Sequence, residues 1–201
     1  FFLVLTITLC VITKQPLAPL AIGGTLTVMV FMGGHISGGH YNPAVSVAAY
    51  LRGALPLAEL FPYMLVQIIG GISASILGNY IAGGSVPISP GENVSLTAAI
   101  IVEFLFTFAL ALTVLNVATA NGTKNNSFYG LAIGFMVMCG VFAGGGISGG
   151  AFNPAVGIGL SFGAFLDGSG GMWFALYVIP PIIGGMLAAY VFKMQGNEDP
   201  E

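Results

Sequence analysis

Charge is what this chain has least of. Of its 201 residues, 5% are Asp, Glu, Lys or Arg, whereas a soluble domain carries about 25%. Too few polar side chains remain to cover a surface in water, which excludes an ordinary soluble domain. The four bases, Lys14, Arg52, Lys124 and Lys193, are scattered, which excludes a basic face for nucleic acid. Seven acids bring the net charge to −3, too small to point to a charged partner. Cysteine is limited to Cys10 and Cys139; both sit in apolar stretches and read as small buried hydrophobes rather than a disulfide. No metal-ligand spacing and no nucleophile paired with a base occurs, so no metal, cofactor or enzymatic activity is expected. Residues 1–12 lack a basic flank and a small-residue cleavage site, so they do not read as a cleavable signal.

What the chain has instead is apolar length. Apolar residues make up 56% of it, and the mean hydropathy is +0.97. A bilayer core of about 30 Å needs roughly 20 apolar residues of helix. Five stretches qualify, near 17–36, 57–82, 96–118, 127–145 and 171–193. A sixth, Phe1 to Ile12, has about half that length. Its start, Phe1-Phe-Leu-Val-Leu-Thr6, lines up with Phe108-Ala-Leu-Ala-Leu-Thr113, which has a further half-helix upstream. The sequence is therefore expected to open inside its first membrane helix, truncated at the N-terminus.

One segment occurs twice. Gly33-Gly-His-Ile-Ser-Gly-Gly-His-Tyr-Asn-Pro-Ala-Val45 and Gly144-Gly-Gly-Ile-Ser-Gly-Gly-Ala-Phe-Asn-Pro-Ala-Val156 agree at ten of thirteen positions, in register and without a gap. Asn is a favoured N-cap and Pro a favoured first helical residue. Each Asn-Pro-Ala tripeptide, Asn42-Pro43-Ala44 and Asn153-Pro154-Ala155, thus reads as the start of a short helix of about ten residues, about 15 Å long. Half a membrane is spanned that way. The Gly-rich runs before them are extended loops, tolerated at membrane depth only where they line a water-filled cavity.

The predicted fold is all-α and integral to the membrane: six transmembrane helices plus two re-entrant half-helices in one domain, 1–201. Repeat one covers 1–82, repeat two 96–193, and 194–201 is a polar tail. Three spans per repeat is an odd number, so the second copy enters from the opposite side, giving an inverted repeat. Arg52, Lys124 and Lys193 then share one side, which the positive-inside rule makes cytoplasmic. Of the acceptor patterns at Asn93, Asn121 and Asn125, only Asn93 faces outward on this topology. Pro180-Pro181 is expected to distort the last helix, and the abundant glycines suit close helix packing.

Two inverted half-helices meet N-terminus to N-terminus at mid-membrane. Each helix start carries roughly +0.5 charge, so the meeting point repels protons and other cations. The Asn42 and Asn153 oxygens are expected to cap their own helices, leaving both NH₂ groups free for a passing water. A water bonded to both points its hydrogens outward and breaks a proton wire. The expected function is a passive pore for water and small neutral solutes.

The duplicated motif, Glu103 in the fourth span and Ile183-Gly-Gly185 in the sixth resemble the aquaporin, or major intrinsic protein, family across essentially the whole chain. Exclusion by pore width, lining donors and half-helix dipoles is the general account of such pores. The resemblance implies a homotetramer in the lipid bilayer with one pore per subunit. It implies a selectivity filter at Ile22, Val141, Gly150 and Val156, and lining carbonyls at Gly39, His40 and Tyr41 and at Gly150, Ala151 and Phe152. It implies that Glu103 accepts bonds from re-entrant loop amides, that His40 holds the first loop, and that His35 braces the loop near the cytoplasmic mouth. The chain departs from the usual pattern at Val156, ordinarily Arg, and at Val141, His in strict water channels. The filter is thus expected to be wide and apolar, nearest to the plant vacuolar-membrane branch, admitting ammonia, urea, hydrogen peroxide or glycerol beside water. Gly157, Tyr177 and Val178 give a mixed signal between the water and glycerol branches. The alternatives are a glycerol facilitator, an ion-coupled transporter, disfavoured because Glu103 is the one clear intramembrane acid, and a structural junction protein.

Overall fold

A computed structural model describes residues 1–85, 87–170 and 173–196; residues 197–201 of the expected tail, with Gly171 and Met172, lie outside the described residues. Eight α-helices follow one another among the described residues: α1 Phe2–Ile12, α2 Ala18–Ser37, α3 Pro43–Arg52, α4 Leu57–Ala82, α5 Leu96–Ala118, α6 Tyr129–Ser148, α7 Pro154–Leu166 and α8 Phe174–Met194. A short 3₁₀ turn, Asn121–Thr123, lies between α5 and α6. Helices α2, α4, α5, α6 and α8 are long and apolar enough to cross a membrane, and α1 and α7 are shorter apolar helices. With α1 read as the sixth span, this is the expected architecture of six spans and two half-helices.

The ends of the helices follow from local chemistry. The Ser95 hydroxyl accepts from the Ala98 amide at 3.2 Å and caps α5. Helices α2 and α6 stop at Gly38 and Gly149, whose φ of 79° and 94° lie in the left-handed region that glycine enters without steric cost. Helix α8 runs unbroken through Pro180 and Pro181, so the expected distortion amounts to two missing N–H donors, for the Leu176 and Tyr177 carbonyls.

The second half-helix is longer than the sequence suggests, 13 residues against 10 in α3. The spacing of the repeats records this insertion. Asn42 pairs with Asn153, but beyond the half-helices Ile68-Ile-Gly-Gly71 matches Ile182-Ile-Gly-Gly185, further along than the motif spacing alone would place it.

Helix α2 packs on α6, α5 on α8, α4 on α7 and α3 on α8. The last two contacts are related by the repeat. A Cβ at Gly71 would collide with the Ala155 carbonyl, and one at Gly185 would sit 2.5 Å from the Ala44 carbonyl oxygen. Both half-helices are thus clamped by glycines that let the backbones touch. Arg52, ending α3, donates from Nε to Thr119 Oγ1 at 3.1 Å and through a terminal nitrogen to the Thr119 carbonyl at 2.9 Å. Its guanidinium stacks 5.4 Å from the Phe192 ring. The ends of α3, α5 and α8 therefore lie together, with Lys124 and Lys193 in the same region and Lys14 at the opposite end.

Large apolar side chains such as Phe61, Leu65, Val66, Ile69, Phe135 and Phe142 are exposed along the long helices, while the core is rich in alanine. The cysteines correct the expectation of burial. Cys10 is half-buried and Cys139 exposed, both free. Cys139 lies on the face of α6 that also exposes Phe135 and Phe142, as a membrane helix permits.

Candidate functional site

Both half-helices begin in the same way. Asn42 and Asn153 are extended, at φ −155°, ψ 117° and φ −162°, ψ 114°, and each is followed by proline in the first helical position. Asn42 Oδ1 accepts from the Ala44 amide at 2.9 Å, and Asn153 Oδ1 from the Ala155 amide at 2.9 Å. With the oxygen committed to the cap, the amide nitrogen must face forward, out of the helix start.

Those nitrogens lock the repeats together. Asn42 Nδ2 donates to the Phe152 carbonyl at 2.8 Å, and Asn153 Nδ2 donates to the Tyr41 carbonyl at 2.8 Å. This corrects the expectation that both NH₂ groups are wholly free. Each carries two hydrogens, and one is spent on the opposite loop. The accepting carbonyls belong to residues in an uncommon conformation, Tyr41 and Phe152 both having φ of 48°. A bulky residue there costs roughly 1–3 kcal/mol, sustained only where the surroundings over-determine it.

The surroundings do so. In the second loop Glu103, 0% exposed, accepts from the Ala151 amide at 3.0 Å, the Phe152 amide at 2.7 Å and the Ser148 hydroxyl at 2.7 Å. A carboxylate at this depth is costly unless it is paired or hydrogen-bonded, and here three donors reach it. Tyr177 donates from its hydroxyl to the Ser148 carbonyl at 2.6 Å. In the first loop Tyr63 donates to the Ser37 carbonyl at 2.8 Å and accepts from the His40 amide at 3.2 Å. His40 Nδ1 lies 3.1 Å from Ser46 Oγ, which also accepts from Gln67 Nε2 at 2.9 Å.

Tyr63 and Tyr177 are matched struts that the sequence reading missed. They correspond under the wider spacing that holds beyond the half-helices, whereas the serines they reach, Ser37 and Ser148, correspond under the motif spacing. Realigning the repeats beyond the half-helices would have paired them. Ser46 and Gln67 were also missed, and no repeat signal marks them. His35 is corrected: it is exposed on the last turn of α2 and makes no side-chain hydrogen bond among the described residues. Bracing falls to His40, Tyr63 and Ser37.

A cavity of about 370 Å³ runs beside the paired asparagines. Ile22, Val141, Gly150 and Val156 all line it, as do Asn42, Asn153, His40, Tyr41 and Ala151. Gly39 and Phe152 do not, against expectation. Gly39 is buried beneath α2, and Phe152 packs its ring 5.2 Å from Phe106 while its carbonyl is taken by Asn42. The remaining wall is largely aliphatic, contributed by α1, α2, α5 and α6. Among the described residues no group of three metal-ligating side chains occurs.

Comparison with known proteins identifies the family. The sequence profile of the major intrinsic protein family matches residues 6–192. Nodulin-26 of Glycine max is 36% identical over 180 residues, 86% of this chain and 62% of its own length, so the chain spans under two thirds of that relative. Glycerol uptake facilitator protein-like 6 of Lactiplantibacillus plantarum is 34% identical over 90% of this chain and 85% of its own. A probable TIP-type aquaporin of Medicago truncatula is 35% identical over 88% and 70%. The X-ray structure of the aquaglyceroporin from Plasmodium falciparum superposes with a TM-score of 0.78 at 21% identity, covering 87% of this chain and 80% of that one, which shows the shared fold. On this footing the chain belongs to the major intrinsic protein family and is a multi-pass integral membrane protein.

Proposed function

We propose that the chain is a passive channel for water and small neutral solutes that excludes ions and protons. The observation that carries this reading is the reciprocal pair of bonds from Asn42 to Phe152 and from Asn153 to Tyr41 beside a largely aliphatic cavity. Two half-helix starts aim partial positive charge at one point, and each asparagine keeps one N–H for a guest oxygen. A water held there is oriented and cannot relay protons, and a cation meets two helix starts and two amide donors.

Ile22, Val141, Gly150 and Val156 form the selectivity filter in this proposal, which supplies no side-chain hydrogen bond and therefore discriminates by width. That favours ammonia, urea and hydrogen peroxide beside water. A glycerol facilitator is the second reading, favoured by the aliphatic wall and by the facilitator-like relative from Lactiplantibacillus plantarum. An ion-coupled transporter needs a free intramembrane charge in the path, and Glu103 is fully engaged by the second loop. Catalysis is no part of this reading. The outward apolar surface suits lipid and, in this proposal, a homotetramer with one pore per subunit.

The test is a stopped-flow panel on proteoliposomes with water, urea, ammonia and glycerol. The channel reading requires non-saturating water flux with a low activation energy and no proton leak. Saturable uptake driven by an ion gradient would sink it.

A further inference from the structure

The repeat allows the two ends of the lumen to be compared residue by residue. The outer filter positions Ile22 and Val156 have counterparts in the other repeat, Ile133 and Val45, at the spacing that separates Asn42 from Asn153. The side chains are the same, and all four line the same cavity, whereas Val30 and Gly39, the counterparts of Val141 and Gly150, do not. One turn along, Leu26 and its counterpart Val137 line it too. Ile22 lies near the outer start of α2 and Ile133 near the inner start of α6. Val156 and Val45 each follow their Asn-Pro-Ala tripeptide directly, on half-helices that leave the centre in opposite directions. Exposure is small and alike throughout, 4% for Ile22, 5% for Ile133, 2% for Val156 and 1% for Val45.

We propose that the pore holds two apolar constrictions in series, one on each side of the asparagine pair and each built on an isoleucine and a valine, so that Val45 and Ile133 set solute selectivity jointly with Val156 and Ile22. This rests on the reading of the cavity as the conduit. None of the six side chains offers a hydrogen bond, so a permeant must shed its partners twice, once before and once after the amides. Water threads both rings with its own file of neighbours; a bulkier solute such as urea is slowed at each. The ends differ in polar groups such as His40, which corresponds to Ala151 in the repeat and is engaged at Nδ1 by Ser46. It adds a polar contact at the inner approach and leaves the inner ring itself aliphatic.

Resistances in series add, so opening one of two equal barriers raises flux by about twofold at most, and opening both raises it far more. Val45→Ala, Val156→Ala and the double variant are reconstituted into liposomes, and urea and water fluxes are measured. Each single variant is expected to raise urea flux by no more than about twofold, and the double by more than the product of the singles. Val45→Leu and Val156→Leu, which narrow the rings, are expected to lower urea flux to a similar extent. Should Val156→Ala alone reproduce the double while both Val45 variants behave as wild type, selectivity is confined to the outer ring and the proposal is overturned with the conduit intact. Urea flux unchanged in all five variants while water still passes also overturns it. Wild-type liposomes no more permeable to water than empty ones would instead sink the conduit reading on which it rests.

Discussion

At Asn42 and Asn153 one side chain serves two ends: its oxygen closes a helix start, and its nitrogen reaches the opposite repeat. Asp caps a helix as well as Asn does, so Asn153→Asp should keep α7 folded. It replaces the donor to the Tyr41 carbonyl by an acceptor and places a negative charge where two partial positive charges met. Cation leak through proteoliposomes should rise while water flux persists, and ion-flux assays with unchanged leak would contradict the electrostatic barrier. Glu103 acts one step behind. Glu103→Gln leaves a donor facing the Ala151 or Phe152 amide, a buried mismatch costing about 1–3 kcal/mol. The thermal midpoint in detergent should fall accordingly. Tyr177→Phe removes a single bond, from the tyrosine hydroxyl to the Ser148 carbonyl, and should cost about 0.5–1.5 kcal/mol. A midpoint equal to wild type would show that the strut carries no load.

The long helices were legible because their ends are written in the chain: α4 and α5 begin and end where the apolar runs do, and Gly83 closes α4 in a left-handed turn at φ 69°. The second half-helix was not, because Gly163 resembles a stop. It lies inside α7 instead, where a Cβ would collide with the Ser75 hydroxyl, and so it serves the packing of α7 on α4. The paired asparagines were legible as caps, but not their bonds to Phe152 and Tyr41, which depend on how two loops far apart in the chain meet. The tyrosine struts escaped for a related reason, since the insertion in α7 hides their correspondence. Gly71 carries the prediction at this scale. Gly71→Ala drives a methyl into the Ala155 carbonyl and should cost about 1–3 kcal/mol by overpacking. Gly24→Ala, with nothing within 4 Å of the added carbon, should leave the unfolding midpoint near wild type. Equal behaviour of the two variants would show that α4 and α7 do not need their close approach.

Taken as one object, the molecule encloses a largely aliphatic cavity with the two asparagines on its wall. Charge is kept from the lumen by geometry: Glu103 is turned onto the second loop and Arg52 onto the end of α5. In the proposed channel, selectivity among neutral solutes then comes from width, and Val156 is where width is most easily changed. It sits one turn beyond Asn153, 2% exposed, on the cavity wall. Val156→Arg adds a long side chain with five donors near a helix start that already repels cations. Water, small and able to bond to the guanidinium, should still pass. Urea and glycerol should be hindered by the lost volume, with the ratio of urea to water flux falling on the order of tenfold. Water and urea fluxes measured on the same liposomes check this. If both fall equally, Val156 does not border the constriction, and discrimination resides elsewhere along the tube.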